Sequence, residues 1–384
     1  MSFIYLDSAA TAKYTNIDDI IVKTMSTAMQ DSWMNPSSLY AVNAREKINK
    51  CRANVAEFIG AKPEEIIFTS GASESNNLAI RGWADKNINF AYFLNIVTTP
   101  IEHKSILNAL QNKALTPAVH YCDVDKYGRV DCKSLEKILS EHEHGSCLVS
   151  IGLANNEIGT TQDIMKIADI VHKHDGILHT DATQAFGHMP IDVNKFGIDM
   201  MSCSGHKISP VLRGVGFLYK RNDISISPLI YGTQENGLRG GTENTYGILG
   251  LNKALEYCDV DREDYLLLSD KRDYFISCLN DKFGCVLNGH WISRLPNNIN
   301  VTFPQNITGE SLLCVLDMSN IKIGVGSACN SRSIEPSHVL KAIGLTDEEA
   351  MRTVRLTLPD DITYREIDKV IDEIEKALKI IEIN

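Results

Sequence analysis

Ile177-Leu178-His179-Thr180-Asp181 is a short apolar, β-prone run that closes on a carboxylate. Further on, Met201-Ser202-Cys203-Ser204-Gly205-His206-Lys207 carries a second such run into small and cationic residues. Runs this short, bounded by turn chemistry, read as buried strands. The same rhythm recurs upstream. Ile66-Ile67-Phe68-Thr69 leads through Ser70-Gly71 into a helical stretch from Ser73, and residues 93–98, 147–153, 177–180 and 198–202 are further buried strands. A helix over 163–174 ends before Gly176, where glycine is favoured. Strands separated by helices of this length predict a mostly parallel sheet covered on both faces, an α/β fold.

Past about residue 255 the pattern changes. Two acidic-basic helical segments precede a strand at 300–303, a helix at 310–316 and a strand at 321–323. The chain then closes on an amphipathic helix with Ile367, Val370, Ile371, Ile374 and Leu378 on one face. The reading is a large domain over 15–255 and a smaller α+β domain formed by 1–14 and 256–384. No repeat, low-complexity tract or long Pro/Gly linker separates them, so the two parts are expected to pack tightly.

At 384 residues the chain can build both cores, and 43% hydrophobic with 23% charged residues is a globular balance. A net charge of −11 argues against a surface for phosphate backbones, so nucleic acid is not expected as a direct substrate. Met1-Ser2-Phe3-Ile4-Tyr5-Leu6-Asp7 has neither a basic n-region nor a long apolar stretch, and no run approaches the roughly 18 apolar residues of a membrane span. Ten cysteines without a CxxC or zinc-like spacing point to reduced thiols and a cytoplasmic protein without a metal site. His142 with His144, and His172 with His174, stand two apart and face different sides of a helix. They read as solvated helix ends, not ligands.

Lys207 after one strand and Asp181 at the end of another are a pair that a pyridoxal phosphate enzyme needs. The lysine forms an imine with the cofactor aldehyde, and the carboxylate holds a proton on the pyridine nitrogen. Alone, the pair is weak, because a loop lysine is commonly a solvated charge and such an aspartate a helix cap. Other strand ends strengthen it. Thr69-Ser70-Gly71-Ala72-Ser73-Glu74-Ser75-Asn76-Asn77 can cradle a phosphate at a helix N-terminus. His103, Asn155-Asn156-Glu157, Gln184, Ser204 and His206 follow other strands, and in an open α/β sheet such ends converge on one crevice. A second cluster, Gly324-Val325-Gly326-Ser327-Ala328-Cys329-Asn330-Ser331-Arg332-Ser333, sets one thiol among small residues suited to a mobile loop.

With these motifs the sequence resembles the cysteine desulfurases, class V aminotransferase-like enzymes of pyridoxal phosphate fold type I. The resemblance runs from Tyr5-Leu6-Asp7-Ser8-Ala9-Ala10-Thr11 to the C-terminal helix. Its most specific pieces are residues 70–77, Glu102-His103-Lys104-Ser105, residues 155–159, Asp181-Ala182-Thr183-Gln184, residues 204–207, Arg239-Gly240-Gly241-Thr242 and Gly326-Ser327-Ala328-Cys329. The long cysteine loop is similar to that of the branch serving iron–sulfur assembly and tRNA thiolation.

The resemblance implies an aspartate-aminotransferase-like fold with a mostly parallel seven-stranded sheet in the large domain. It implies pyridoxal 5'-phosphate on Lys207, with His103 stacked on the ring as acid/base and Asp181 on the pyridine nitrogen. Asn156 and Gln184 contact the ring oxygen side. Ala72, Ser73, Ser204 and His206 hold the phosphate, with Thr242 reaching it from the partner of a homodimer. Asn35 and Arg355 bind the carboxylate of L-cysteine. The reaction implied gives L-alanine and a persulfide on Cys329, which is handed to a protein acceptor.

The chain departs from the family pattern at Ser209-Pro210-Val211-Leu212-Arg213-Gly214, at Tyr231-Gly232-Thr233, and at Met34, Tyr40, Asn330, Arg332 and Pro359. None removes a chemical group named above. A selenocysteine lyase, another enzyme of the same class or a quiet sulfur-transfer scaffold are the competing expectations. Cys329 argues against transamination, and the intact Lys207, His103, Asp181 and Cys329 set argues against the scaffold.

Overall fold

In the computed structural model, which describes residues 3–87, 94–111, 118–143, 145–258, 263–325 and 335–383, strands fall into two sheets. After β1 (Ile4–Leu6) come β2 (Ile66–Thr69), β3 (Asn95–Thr98), β4 (Ala118–Tyr121), β5 (Cys147–Ser150), β6 (Ile177–Asp181), β7 (Met200–Ser204) and β8 (Gly216–Lys220). These last seven form one sheet in the order β2-β8-β7-β6-β5-β3-β4. β8 runs antiparallel to both neighbours, and the other pairings are parallel.

The central strands are buried almost throughout because both faces are covered. Ile96, Leu148, Met200 and Leu218 join one hydrophobic cluster. The next residues along, Val97, Val149, Met201 and Tyr219, join another on the opposite face. A strand side chain alternates faces, so a sheet coated by helices on both sides has no polar alternation to show. Each buried aliphatic side chain of this kind contributes about 1.5–3 kcal/mol.

The second sheet has the order β1-β11-β12-β10-β9, with β9 (Val286–Leu287), β10 (Asn298–Thr302), β11 (Ile321–Val325) and β12 (Thr353–Thr357). β1 pairs in parallel with β11, which brings the N-terminal segment into this sheet. The expected apolar stripe of the last helix, Tyr364–Ile383, packs there: Ile367, Val370, Ile371, Ile374 and Leu378 share a core with Leu6, Phe275, Ile299, Ile323 and Leu356.

Several boundaries differ from the sequence expectations. The strand expected at 198–202 is Met200–Ser204, because its register to β6 starts with Met200 opposite His179. The strand expected at 300–303 begins earlier, at Asn298. Asn298 and Asn300 are buried there, each with its Nδ2 donating to the Glu157 carbonyl, so polar residues occupy positions that look unsuited to a core strand.

Candidate active site

Gly71, between β2 and the helix Ala72–Lys86, has φ of +146°, a conformation that L side chains rarely adopt. A Cβ at Gly216 would lie 2.6 Å from the Gly71 Cα, so the turn packs directly on β8. No side chain caps the helix at Gly71. Its first N–H groups and its dipole therefore suit an anion. A Cβ at Gly71 would approach Ser204 Oγ to 3.2 Å, so the serine at the end of β7 stands beside this turn. Ser204 Oγ lies 2.7 Å from His206 Nδ1. Burial, helped by the Lys207, Arg213 and His103 charges, lowers the His206 pKa to about 4.

Lys207 ends a 3-10 turn directly after β7. Its Nζ donates to the Ala9 and Ala10 carbonyls at 2.6 and 2.8 Å, and Gln184 Nε2 donates to the same Ala9 carbonyl at 3.0 Å. The N-terminal segment thus touches the lysine through its backbone. Asp181, buried at the end of β6, accepts from Thr183 N at 2.9 Å and from Asn76 Nδ2 at 2.7 Å.

Asn76 continues the network. Its Nδ2 also reaches Ser105 Oγ at 2.8 Å, and that hydroxyl lies 2.8 Å from His103 Nδ1. The Ser105 backbone N–H donates to the same Nδ1 at 3.1 Å. A backbone N–H can only donate, so Nδ1 is the acceptor and the neutral ring carries its proton on Nε2. Burial lowers the His103 pKa, against the upward pull of Asp181, so the neutral form is the one present at neutral pH.

One pocket of about 630 Å³ collects these groups. Ala72, Ser73, Ser204, His206 and Lys207 line it together with His103, Asn156, Asp181, Gln184 and Arg355. Two expected residues stand elsewhere in this chain. Asn35 is exposed in the segment after the first helix, its Oδ1 accepting from Ser37 N, and Thr242 is exposed after Gly241. Cys329 and residues 326–334 lie outside the described residues. None of the nine described cysteines lines the pocket. Burial pushes Cys51, Cys122, Cys258 and Cys285 up to about 12, which suits packing and not nucleophilic chemistry.

Sequence reasoning gave no role to Glu102, Asn76, Ser105, Glu157 or Asp7. The signal for Asn76 is a buried helix face that sets Ser75 and Asn76 beside Leu78 and Ala79. Glu157, also buried, accepts from Ser337 Oγ, which caps the helix His338–Ala342. Among the described residues no cluster of His, Cys, Asp or Glu could hold a metal ion, and His172 and His174 instead bond Asp199 and Glu136.

A lysine, a buried carboxylate and a helix N-terminus flanked by Ser204 and His206 match the aldehyde, ring nitrogen and phosphate of pyridoxal phosphate. The glycine turn supports the fit, since a side chain at Gly71 would crowd Ser204 inside the cradle. The fold and pocket together define a pyridoxal phosphate-dependent enzyme of fold type I. A family model described as aminotransferase class-V matches residues 4–370, and the chain belongs to that family. It is 39% identical to the cysteine desulfurase IscS of Dictyoglomus turgidum, over 98% of this chain and 94% of that one. It is 40% identical to the cysteine desulfurase IscS of Methanosarcina thermophila, over 98% and 92%. Among solved structures, a NifS-like protein superposes with a TM-score of 0.89 at 32% identity, covering 99% of this chain and all of that one (100%). SspA in complex with cysteine gives 0.79 at 36% identity, covering 93% and 99%.

Proposed function

We propose that this enzyme takes sulfur from L-cysteine, releasing L-alanine and leaving a persulfide on Cys329. The observation that carries the reading is one pocket holding Lys207, Asp181 and Arg355 together. Similarity to cysteine desulfurases along nearly the whole chain supports it.

The N–H groups of Ala72 and Ser73, with Ser204 and His206, would hold the cofactor phosphate, and Asp181 would face the ring nitrogen. Asn156 and Gln184 would contact the ring oxygen side. When bound, the cofactor supplies an electron sink for charge developing at the substrate α-carbon. Asp181 is fixed for its task by Asn76 and Thr183, so its charge is oriented before substrate arrives. Lys207 Nζ takes and returns protons, held near the pocket by two carbonyls when not bonded to the cofactor. His103 acts at Nε2, the ring nitrogen its helix cap leaves available. Arg355 pairs with the substrate carboxylate from the pocket wall.

Sulfur leaves by attack of the Cys329 thiolate on the substrate sulfur. An S–S bond forms as the C–S bond breaks, the electron pair stays on carbon, and a proton there completes the methyl group of alanine. Cys329 would be supplied by a smaller domain, 1–14 with 256–384, to a cofactor site in 15–255. A homodimer would bring Thr242 to the partner's phosphate. Exposed Trp33, Leu39, Tyr40, Ile230 and Tyr231 support a subunit contact, and Gln234 Nε2 to Ser37 Oγ at 2.9 Å ties their two segments together. The persulfide would pass to a protein acceptor in iron–sulfur assembly or tRNA thiolation, in the cytoplasm. No described helix is long and apolar enough to cross a membrane.

The test is to supply the holoenzyme with L-cysteine and a reductant and quantify alanine and sulfide together. Equal amounts are expected, and Cys329→Ser should keep the cofactor while losing both products. Undiminished alanine from that variant would overturn the persulfide route.

A further inference from the structure

Arg355 is among the largest fully buried side chains, 2% exposed in the middle of the smaller sheet. A guanidinium stays charged, so burying it requires partners. Nη2 donates to Asp7 Oδ1 at 2.6 Å and Nη1 to the Asn156 carbonyl at 3.1 Å. Nε is buried with no hydrogen-bond partner among the described residues. Two of five N–H donors are thus used among the described residues, while Arg355 lines the pocket and Asp7 does not.

Asp7 is placed by three local features. β1 pairs with β11, Asp7 itself bridges Thr357 at the end of β12, and the Tyr5 hydroxyl donates to the Asp7 and Thr11 carbonyls at 3.2 and 2.8 Å. Gly324 stands opposite Arg355 in the β11–β12 register. A Cβ there would lie 2.7 Å from Asp7 Oδ1 and 3.0 and 3.1 Å from Arg355 Nη2 and Nε. All three contacts are to side-chain ends, so an added methyl would displace the ion pair before the backbone.

We propose that Asp7 is a positioning residue that sets the Arg355 guanidinium for the substrate carboxylate, and that Gly324 is the gap that lets the pair form. The proposal rests on reading Arg355 as the carboxylate's partner. A carboxylate is recognised by two parallel N–H bonds, so the plane of the guanidinium must be fixed in advance. Asp7, which does not itself line the pocket, fixes it through Nη2, and one N–H on each terminal nitrogen stays available to the ligand. The same N-terminal segment bonds Lys207 through Ala9 and Ala10, so one short stretch organises both the lysine and the arginine.

The test uses holoenzyme carrying Cys329→Ser, so that binding is read without turnover. L-cysteine and cysteamine, its counterpart without a carboxylate, are titrated against the absorbance of the bound cofactor. Asp7→Asn should weaken L-cysteine about tenfold and cysteamine less than about twofold, the loss expected for a misaligned charge-assisted contact. Gly324→Ala should reproduce this selectivity and stands in if Asp7→Asn folds poorly. Equal weakening of both ligands would make Asp7 merely structural and overturn the proposal. Tighter L-cysteine binding would also overturn it, since Asp7 would then compete for the guanidinium. Arg355→Ala tests the underlying reading separately: unchanged L-cysteine binding there would remove the carboxylate partner and the proposal with it.

Discussion

Glutamine at position 102 removes a titratable group from the wall of the pocket while keeping its shape. Glu102 is buried, with Oε1 accepting from Thr99 Oγ1 at 2.6 Å and Oε2 from Gly152 N at 2.9 Å. Burial raises its pKa from 4.5 to about 7; the two hydrogen bonds pull it down and the Asp181 charge adds to the rise. The folded chain therefore keeps a proton that the unfolded chain releases near its ordinary carboxyl value. Between these two values folding binds extra proton, so stability falls as pH rises through that window and levels off above it. At about 1.4 kcal/mol per pH unit the displacement corresponds to roughly 3 kcal/mol. A chain of 384 residues has an unfolding entropy on the order of 0.8 kcal/mol/K, which makes this about 4 °C in Tm. Thermal unfolding of the holoenzyme and of Glu102→Gln, followed from about pH 5 to about pH 8 at one scan rate, reads the effect. The glutamine variant should unfold close to the parent at the acid end and about 4 °C higher at the alkaline end. Parallel curves across the range would refute the reasoning, since they require a carboxyl titrating near its ordinary value.

Lys207→Ala should lose the borohydride-trapped cofactor adduct, and peptide mapping of the reduced parent should place that adduct on Lys207. An adduct on another lysine would contradict the assignment. Gly71→Ala puts a side chain where φ is +146° and Ser204 Oγ is 3.2 Å away. It should cost about 1–3 kcal/mol of stability and weaken pyridoxal phosphate, measured by equilibrium dialysis with and without free cofactor. Arg355→Ala should lower kcat/KM for L-cysteine by about 10- to 100-fold, mostly through KM, as expected for a charge-assisted contact worth about 1.5–3 kcal/mol. An unchanged KM would assign the carboxylate to another cation.

The large sheet was legible because its strands are apolar on both faces and end in polar residues. Ile66–Thr69 and Ile177–Asp181 need only periodicity and a turn signal to be seen. β4, Ala118–Tyr121, was missed because it lies at the edge, partly exposed, with no apolar run to mark it. β8, Gly216–Lys220, was missed as well; its direction is set by tertiary pairing with β2 and β7, not by its own pattern. In the site, groups at strand ends could be inferred from local order, since that order is what brings Asp181, Ser204 and Lys207 to one edge. The Asp7–Arg355 pair could not be, because it depends on β1 crossing to β11 from the other end of the chain. The Asp181–Asn76–Ser105–His103 network was hidden for a similar reason: its members come from three strand-to-helix junctions that only the folded sheet brings within hydrogen-bond reach.

The central claim is that sulfur passes from L-cysteine to Cys329 on an enzyme whose cofactor is held at Lys207. The most direct measurement gives the holoenzyme one equivalent of L-cysteine without reductant, traps all thiols by alkylation, and maps added sulfur by mass spectrometry while counting alanine. The account predicts one added sulfur on the peptide containing Cys329 for each alanine formed. Alanine without sulfur at Cys329, or the added sulfur on an exposed thiol such as Cys314, would contradict it.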